Sequence, residues 1–279
     1  MKKSHREKIL LVLVFLIGLS IFTYPALSDY IARRNVIQSV NDYDKVVINL
    51  SDEEIAKMWE RARGYNDNLK GDPVVDPFIM GSGRVLPEDY LEILSMEDSI
   101  MGYIDIPSIN VYQPIRHDTS EEVLKKGAGH IEQTALPIGG EGNMPVITAH
   151  TGFAGADMFN RLTELKVDDI FLLHILDETL TYQVDDVKVI LPEDVESLIP
   201  IEDKDYVVLM TCTPYGVNSH RLLVRGIRIA NLQDIVREKD QVPFPWRLFV
   251  MVTVAVLLFV LVLIWNHKRN KKEEGAKET

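Results

Sequence analysis

Two apolar runs, one near each end, divide this chain before any other feature acts on it. Residues 9–22 read ILLVLVFLIGLSIF, and the run extends to about Leu27. Residues 248–265 read LFVMVTVAVLLFVLVLIW without interruption. Each approaches the roughly 20 residues that a helix needs to cross the hydrocarbon layer of a bilayer. The first run could instead be a signal peptide, since Ala26, Leu27 and Ser28 form a small-residue cleavage site. The second would still anchor the chain. Lys2, Lys3, Arg6 and Lys8 precede the first run, and Lys268, Arg269, Lys271 and Lys272 follow the second. Basic flanks stay on the cytoplasmic side. Both tails are therefore expected there, with the middle of the chain on the outer face of a cell membrane that it crosses twice.

The formal net charge is −12, and both tails are net positive. The middle is thus more acidic than the chain as a whole, which argues against nucleic acid as a partner. Ser51-Asp52-Glu53-Glu54 is a capping-box pattern, followed by Ile55, Met58, Trp59 and Ala62 at helical spacing. This predicts an amphipathic helix of about three turns packed on the outer domain. Residues 71–87 hold three prolines and three glycines and read as a long loop. Within it, Asp76-Pro77-Phe78 fixes an acid and an aromatic on either side of a stiff turn. Phe78 could tuck into the nearest core or plug a groove.

From Met101 the pattern becomes short strands. Candidates are 102–107, 109–115, 144–149, 171–175, 180–184 and 187–191, with short helices from Thr119 and over 157–165. Many short strands and few helices predict an all-β barrel or sandwich.

The stretch 207–229, VVLMTCTPYGVNSHRLLVRGIRI, holds the only cysteine, Cys212. Two strand-like runs flank a Pro/Gly/Asn/Ser connection at 214–219, so a hairpin-like return is expected. It would bring Cys212, at the end of one strand, close to Arg221, at the start of the next. A neighbouring guanidinium favours a thiolate and can stabilise an oxyanion. One cysteine cannot close an intrachain disulfide, and on the outer face a lone thiol is a liability unless it is used. An inert buried cysteine is the plainer alternative.

Of the seven histidines, His5 and His267 sit in the tails. His117, His130, His174 and His220 show no partner pattern and read as surface or structural groups. His150 ends a strand just before a glycine turn, as Cys212 ends another, and strand ends commonly present active groups. No Cys-x-x-Cys, no His-Glu-x-x-His, no carboxylate ladder and no phosphate-cradling glycine loop is present, so metal, redox and nucleotide chemistry have no motif here. No cofactor is expected.

Leu209-Met-Thr-Cys212 resembles the sortase signature T-L-x-T-C, with Val208 in place of its first Thr. The longer run from Cys212 to Gly226, CTPYGVNSHRLLVRG, resembles the class C, pilus-assembly sortases of Gram-positive bacteria. Ile147-Thr-Ala-His150-Thr-Gly152 is similar to that family's histidine segment, and Asp76-Pro77-Phe78 to its lid motif. The resemblance runs from about Ser51 to Ile229. A second membrane span at the C-terminus is also typical of class C.

The resemblance implies a mostly β fold: a closed sortase-type β-barrel with short helices and an N-terminal helical and lid region, flanked by two transmembrane helices. It implies a cleft lined by Cys212 as nucleophile, His150 as general acid and base, and Arg221 as oxyanion and substrate stabiliser. Asp76, Pro77 and Phe78 would form the lid, Asp76 pairing with Arg221 and Phe78 covering Cys212. The implied reaction is transpeptidation. Cys212 would cleave an LPXTG-like sorting signal through a thioester, and a lysine of the next pilin would resolve it as an isopeptide bond. Partners would be pilin precursors and the lipid bilayer; no oligomeric state is implied. The expected division is a cytoplasmic tail at 1–8, a transmembrane helix at 9–28, a juxtamembrane helical region and lid loop at 29–100, the catalytic barrel at 101–232, a linker at 233–247, a transmembrane helix at 248–265 and a cytoplasmic tail at 266–279. The alternative is a class A-type sortase that attaches proteins to the cell wall. The lid triplet and the second span weigh against it.

Overall fold

The structure is a computed structural model that describes residues 2–69, 78, 89–152, 158–231 and 244–275. It falls into two compact units, residues 1–31 with 242–279, and residues 32–241. In the first unit, the opening part of helix α1 (Lys2–Ile48) lies with helix α4 (Trp246–Gly275). Both are long and apolar enough to cross a membrane. Their large apolar side chains point outward, Ile17 and Leu258 among them, as a lipid-facing surface would have them. Phe15 and Phe259 stack at 3.9 Å, and Tyr30 meets Phe244 edge-on at 6.2 Å. The hydroxyl of Thr23 donates to Leu19 O at 2.9 Å and that of Thr253 to Phe249 O at 2.8 Å, so neither is left open within an apolar helix.

The second unit is a closed barrel of eight strands. In chain order these are β1 (Ile100–Ile106), β2 (Val111–His117), β3 (Ala128–His130), β4 (Val146–Thr148), β5 (Ile170–Ile175), β6 (Glu178–Ile190), β7 (Tyr206–Thr213) and β8 (His220–Arg228). Around the barrel they run β1-β2-β3-β4-β7-β8-β6-β5. The pairs β2–β3 and β4–β7 are parallel and the others antiparallel. The closed barrel is the form taken from the two that the strand pattern left open. Closure removes the sheet edges that an open sheet would expose.

Two expected elements change. The strands at 180–184 and 187–191 are one long strand, β6, with a bulge between Val184 and Asp186. The bulge adds a residue, which breaks the alternation without ending the strand. The helix over 157–165 is reduced to a single 3-10 turn at Leu162–Glu164, and Asp157 lies outside the described residues.

The capping box forms as its sequence directs. Glu54 N donates to Ser51 Oγ at 3.3 Å, and Ser51 N donates to Glu54 Oε2 at 2.8 Å. The helix it opens, α2 (Asp52–Asn68), is longer than the expected three turns. It buries Trp59 and Ala62 against the barrel core, and Trp59 Nε1 donates to Asp177 Oδ1 at 2.9 Å. The last turns of α1 add Val40, Tyr43 and Val47 to that core. Tyr43 is the tie. Its hydroxyl accepts from Leu176 N at 2.8 Å and donates to Met101 O at 3.2 Å. The juxtamembrane helical stretch is therefore part of one continuous helix with the first apolar run.

Strands β7 and β8 are apolar on both faces because both faces are covered. On the inner face, Val207, Leu209, Leu222 and Val224 join the barrel core. On the outer face, Tyr206, Val208, Met210 and Leu223 form a second cluster with Ile131, Met144, Val146 and Leu198. Gly226 keeps the inner face dense. A Cβ there would sit 2.4 Å from a Phe171 ring that stacks on Tyr182 at 5.5 Å. Gly226→Ala is expected to destabilise the fold by about 1–3 kcal/mol through overpacking. Urea unfolding of the chain in detergent checks this; a wild-type midpoint would contradict the packing described.

Candidate active site

The site grows out of the end of the β7–β8 hairpin. β7 stops at Thr213, and the chain turns over 214–219, with Val217 N and Asn218 N both donating to Pro214 O at 3.0 and 2.9 Å. Gly216 and Asn218 take the left-handed conformation that such a turn needs, with φ of 76° and 58°. Both residue types tolerate it. The turn sets a register in which Cys212 lies directly opposite Arg221, and Thr213 opposite His220. Paired residues of an antiparallel ladder share a face, with Cβ atoms roughly 5 Å apart. Thiol and guanidinium therefore project from the same, outer side of the barrel. Both residues are buried. Arg221 is steadied by its own turn, Nη1 donating to Asn218 O and His220 O at 3.1 Å each. His220 falls on the opposite face from Arg221, as alternation requires, and its Nδ1 meets Ser219 Oγ at 2.8 Å.

His150 arrives from the other side. β4 runs parallel to β7, with Val146, Ile147 and Thr148 level with Val208, Leu209 and Met210. The hydrogen bond from Ala149 N to Met210 O at 3.3 Å carries the pairing one residue further. Val146 shares the outer cluster with Val208 and Met210. Counting on by twos, His150 reaches the level of Cys212 on that same outer face.

Phe78 closes the group. Its ring is 5.6 Å from the His150 ring, and Arg221 Cζ lies 5.1 Å over its face. It packs, partly buried, against the outer apolar cluster. An aromatic face on a guanidinium contributes about 0.5–2 kcal/mol. Asp76 and Pro77, named with Phe78 from the sequence, lie outside the described residues.

Burial pushes the His150 imidazole below the usual histidine range, because it disfavours the charged form. Glu121 acts against this and Lys125 with it. Glu121 opens the short helix α3 (Glu121–Leu124), capped by Ser120, and pairs with Lys125 at 2.6 Å. The sequence shows Glu121 only as a helix opener. Its charge acts on His150 across the fold, and no local pattern carries that.

His130, His117 and His174 serve the fold. His130 is fully buried, with Nδ1 2.9 Å from the Tyr90 hydroxyl and Nε2 2.7 Å from Ala135 O; burial pushes it down to about 3. His117 lies with its ring nitrogens 3.0 and 2.7 Å from Ser99 O and Ile93 O. His174 stacks on Tyr103 at 4.4 Å. Among the described residues, no group of three or more His, Cys, Asp or Glu is placed to hold a metal ion.

The outer face of the barrel thus carries a thiol, an imidazole and a guanidinium, which is the equipment of cysteine-dependent acyl transfer. Residues 104–229 match the sortase domain. The chain is 44% identical to sortase C-1 from Streptococcus pneumoniae over 70% of this chain and 100% of that one, with a TM-score of 0.67. It is 40% identical to the pilus-related sortase C of Group B Streptococcus over 68% of this chain and 97% of that one, with a TM-score of 0.64. It is also 28% identical to sortase D of Bacillus subtilis over 131 residues, which are 46% of this chain and 63% of that protein's length. The chain belongs to the sortase family of cysteine transpeptidases, on its class C, pilus-related branch.

The charges around His150 order its titration. Glu121→Gln is expected to lower the midpoint further, by removing a carboxylate that favours the imidazolium. Lys125→Ala is expected to raise it. Ring-resonance titration by NMR measures both, and a reversed order would contradict the placement of α3.

Proposed function

We propose that the protein is a membrane-anchored transpeptidase that joins pilin subunits on the outer face of the cell membrane. Cys212 is the nucleophile. Its thiol passes a proton to His150, and the thiolate attacks the threonine carbonyl carbon of an LPXTG-like sorting signal. The tetrahedral oxyanion is held by Arg221, a rigid, permanently charged donor. The intermediate collapses to a thioester as the Thr–Gly bond breaks, and His150 gives a proton to the departing glycine amine. A lysine amine of the next pilin then loses a proton to His150 and attacks the thioester carbonyl. The Cys212 thiolate leaves, and an isopeptide bond remains. The observation that carries this reading is the register: Cys212 faces Arg221 across one ladder, and His150 follows two residues after Thr148, which pairs with Met210, two residues before Cys212, in the neighbouring parallel ladder.

Phe78 acts as a movable cover in this reading, with Pro77 stiffening its turn and Asp76 pairing with Arg221. Its contacts with His150 and Arg221 support the idea. The contacts of one ring and one ion pair would hold this cover, so a sorting signal binding over Cys212 can displace it. The basic flanks support an arrangement with both termini cytoplasmic and the barrel outside. The barrel's boundaries at 101–232 and the spans at 9–28 and 248–265 belong to the same proposal.

Cys212→Ala is expected to abolish the covalent ladders formed by a co-expressed pilin, read on denaturing gels; persistent ladders would remove the nucleophile from this account. Phe78→Ala, alone or with Asp76→Ala, is expected to speed alkylation of Cys212 by a thiol probe about tenfold, as removing a contact of about 1.4 kcal/mol implies. An unchanged rate would end the gating idea.

A further inference from the structure

We infer that Thr211 is a positioning residue for His150, holding the backbone on both sides of the imidazole from beneath the nucleophile's strand. The inference rests on the proposed pairing of His150 with Cys212. Thr211 precedes Cys212, so its side chain points the other way, to the inner face beside Leu209 and opposite Leu222. It is fully buried there. An interior position of this shape suits valine, and a hydroxyl is costly in it unless bonded.

The Thr211 hydroxyl is bonded at both ends. Oγ1 donates to Ala149 O at 2.7 Å, and Oγ1 of Thr151 lies 2.5 Å away. A hydroxyl has one proton. Since that of Thr211 goes to Ala149 O, Thr151 must be the donor to Thr211. The result is a directed chain, from the Thr151 hydroxyl to the Thr211 hydroxyl to the Ala149 carbonyl. Bonds in such a chain polarise and strengthen one another. Its two ends lie on the residues immediately before and after His150.

His150 needs such a fixture. β4 ends at Thr148, so the imidazole sits past the last ladder residue. Other bonds complete the frame: Phe159 N donates to His150 O at 3.3 Å, and Gly152 N donates to Asn160 Oδ1 at 2.6 Å. Of the side chains in this frame, Thr211 alone belongs to the strand that carries the nucleophile. It therefore couples the imidazole's position to that of the thiol, and small misplacements of a reacting group cost large factors in rate.

Three variants separate this role from plain core packing. Thr211→Ser keeps both hydrogen bonds; Thr211→Val keeps the shape and loses both; Thr151→Val loses only the outer one. Turnover of a sorting-signal peptide is expected to drop about 30–100-fold in kcat for Thr211→Val, with KM within about threefold, as loss of geometry beyond binding implies. Thr211→Ser is expected to stay within about threefold of wild type. The His150 ring titration, followed by NMR in a Cys212→Ala background, is expected to move in Thr211→Val and not in Thr211→Ser. That readout needs no turnover, so it stands apart from the nucleophile assignment, which fails separately if Cys212→Ala stays active. Should Thr211→Val not fold, Thr151→Val carries the same test with a loss of about 3–10-fold. Wild-type kcat and titration in Thr211→Val, or a serine variant as impaired as the valine one, would overturn the inference.

Discussion

Everything at this site hangs on the pairing of β7, which has a parallel partner on one side and an antiparallel one on the other. Side chains of paired residues share a face whatever the strand direction. A single register on each side of β7 therefore aligns three side chains from two distant stretches of chain. A slip of one residue in either pairing would send Arg221 or His150 to the inner face, away from the thiol. The apolar residues of β7 guard against such a slip. Its inner residues belong to the barrel core and its outer ones to the second cluster, so neither set can change places without exposing surface to water.

This arrangement places reactive chemistry on the outside of a rigid wall. The barrel interior is filled by the apolar core. Outside it, Phe78 packs on the second apolar cluster, with the Arg221 guanidinium over its ring. In such surroundings a fixed positive charge acts more strongly than in water, while burial keeps the imidazole toward its neutral form. Neutral imidazole is the form that can accept a proton from an attacking amine. Phe78 lies against both the ring and the guanidinium.

Much of this was legible in the sequence where the signal is local. The hairpin around Cys212 followed from a strand, a turn rich in Pro, Gly, Asn and Ser, and an alternating strand, and its register brought Arg221 across from the thiol. The capping box at Ser51 and the apolar terminal helices were equally local. Barrel against sandwich was not decidable from strands alone, because closure depends on which edges meet. The bulge that makes one strand of β6 was hidden, since one extra residue imitates a strand break. The links from Thr211 to both flanks of His150 and from Glu121 to the imidazole join residues about 60 and 30 positions apart. No spacing rule in the sequence reports them. His150 stood out as the end of a strand before a glycine turn, the resemblance gave its role, and the parallel β4–β7 pair gives the physical reason for its location.

The most direct measurement is the intact mass of the chain after brief incubation with a sorting-signal peptide and no amine acceptor. The account predicts an adduct equal to the peptide up to and including its threonine, on Cys212, released by hydroxylamine as a thioester would be. An adduct on another residue, or peptide turnover that proceeds with no covalent species even when the reaction is quenched early, would contradict it.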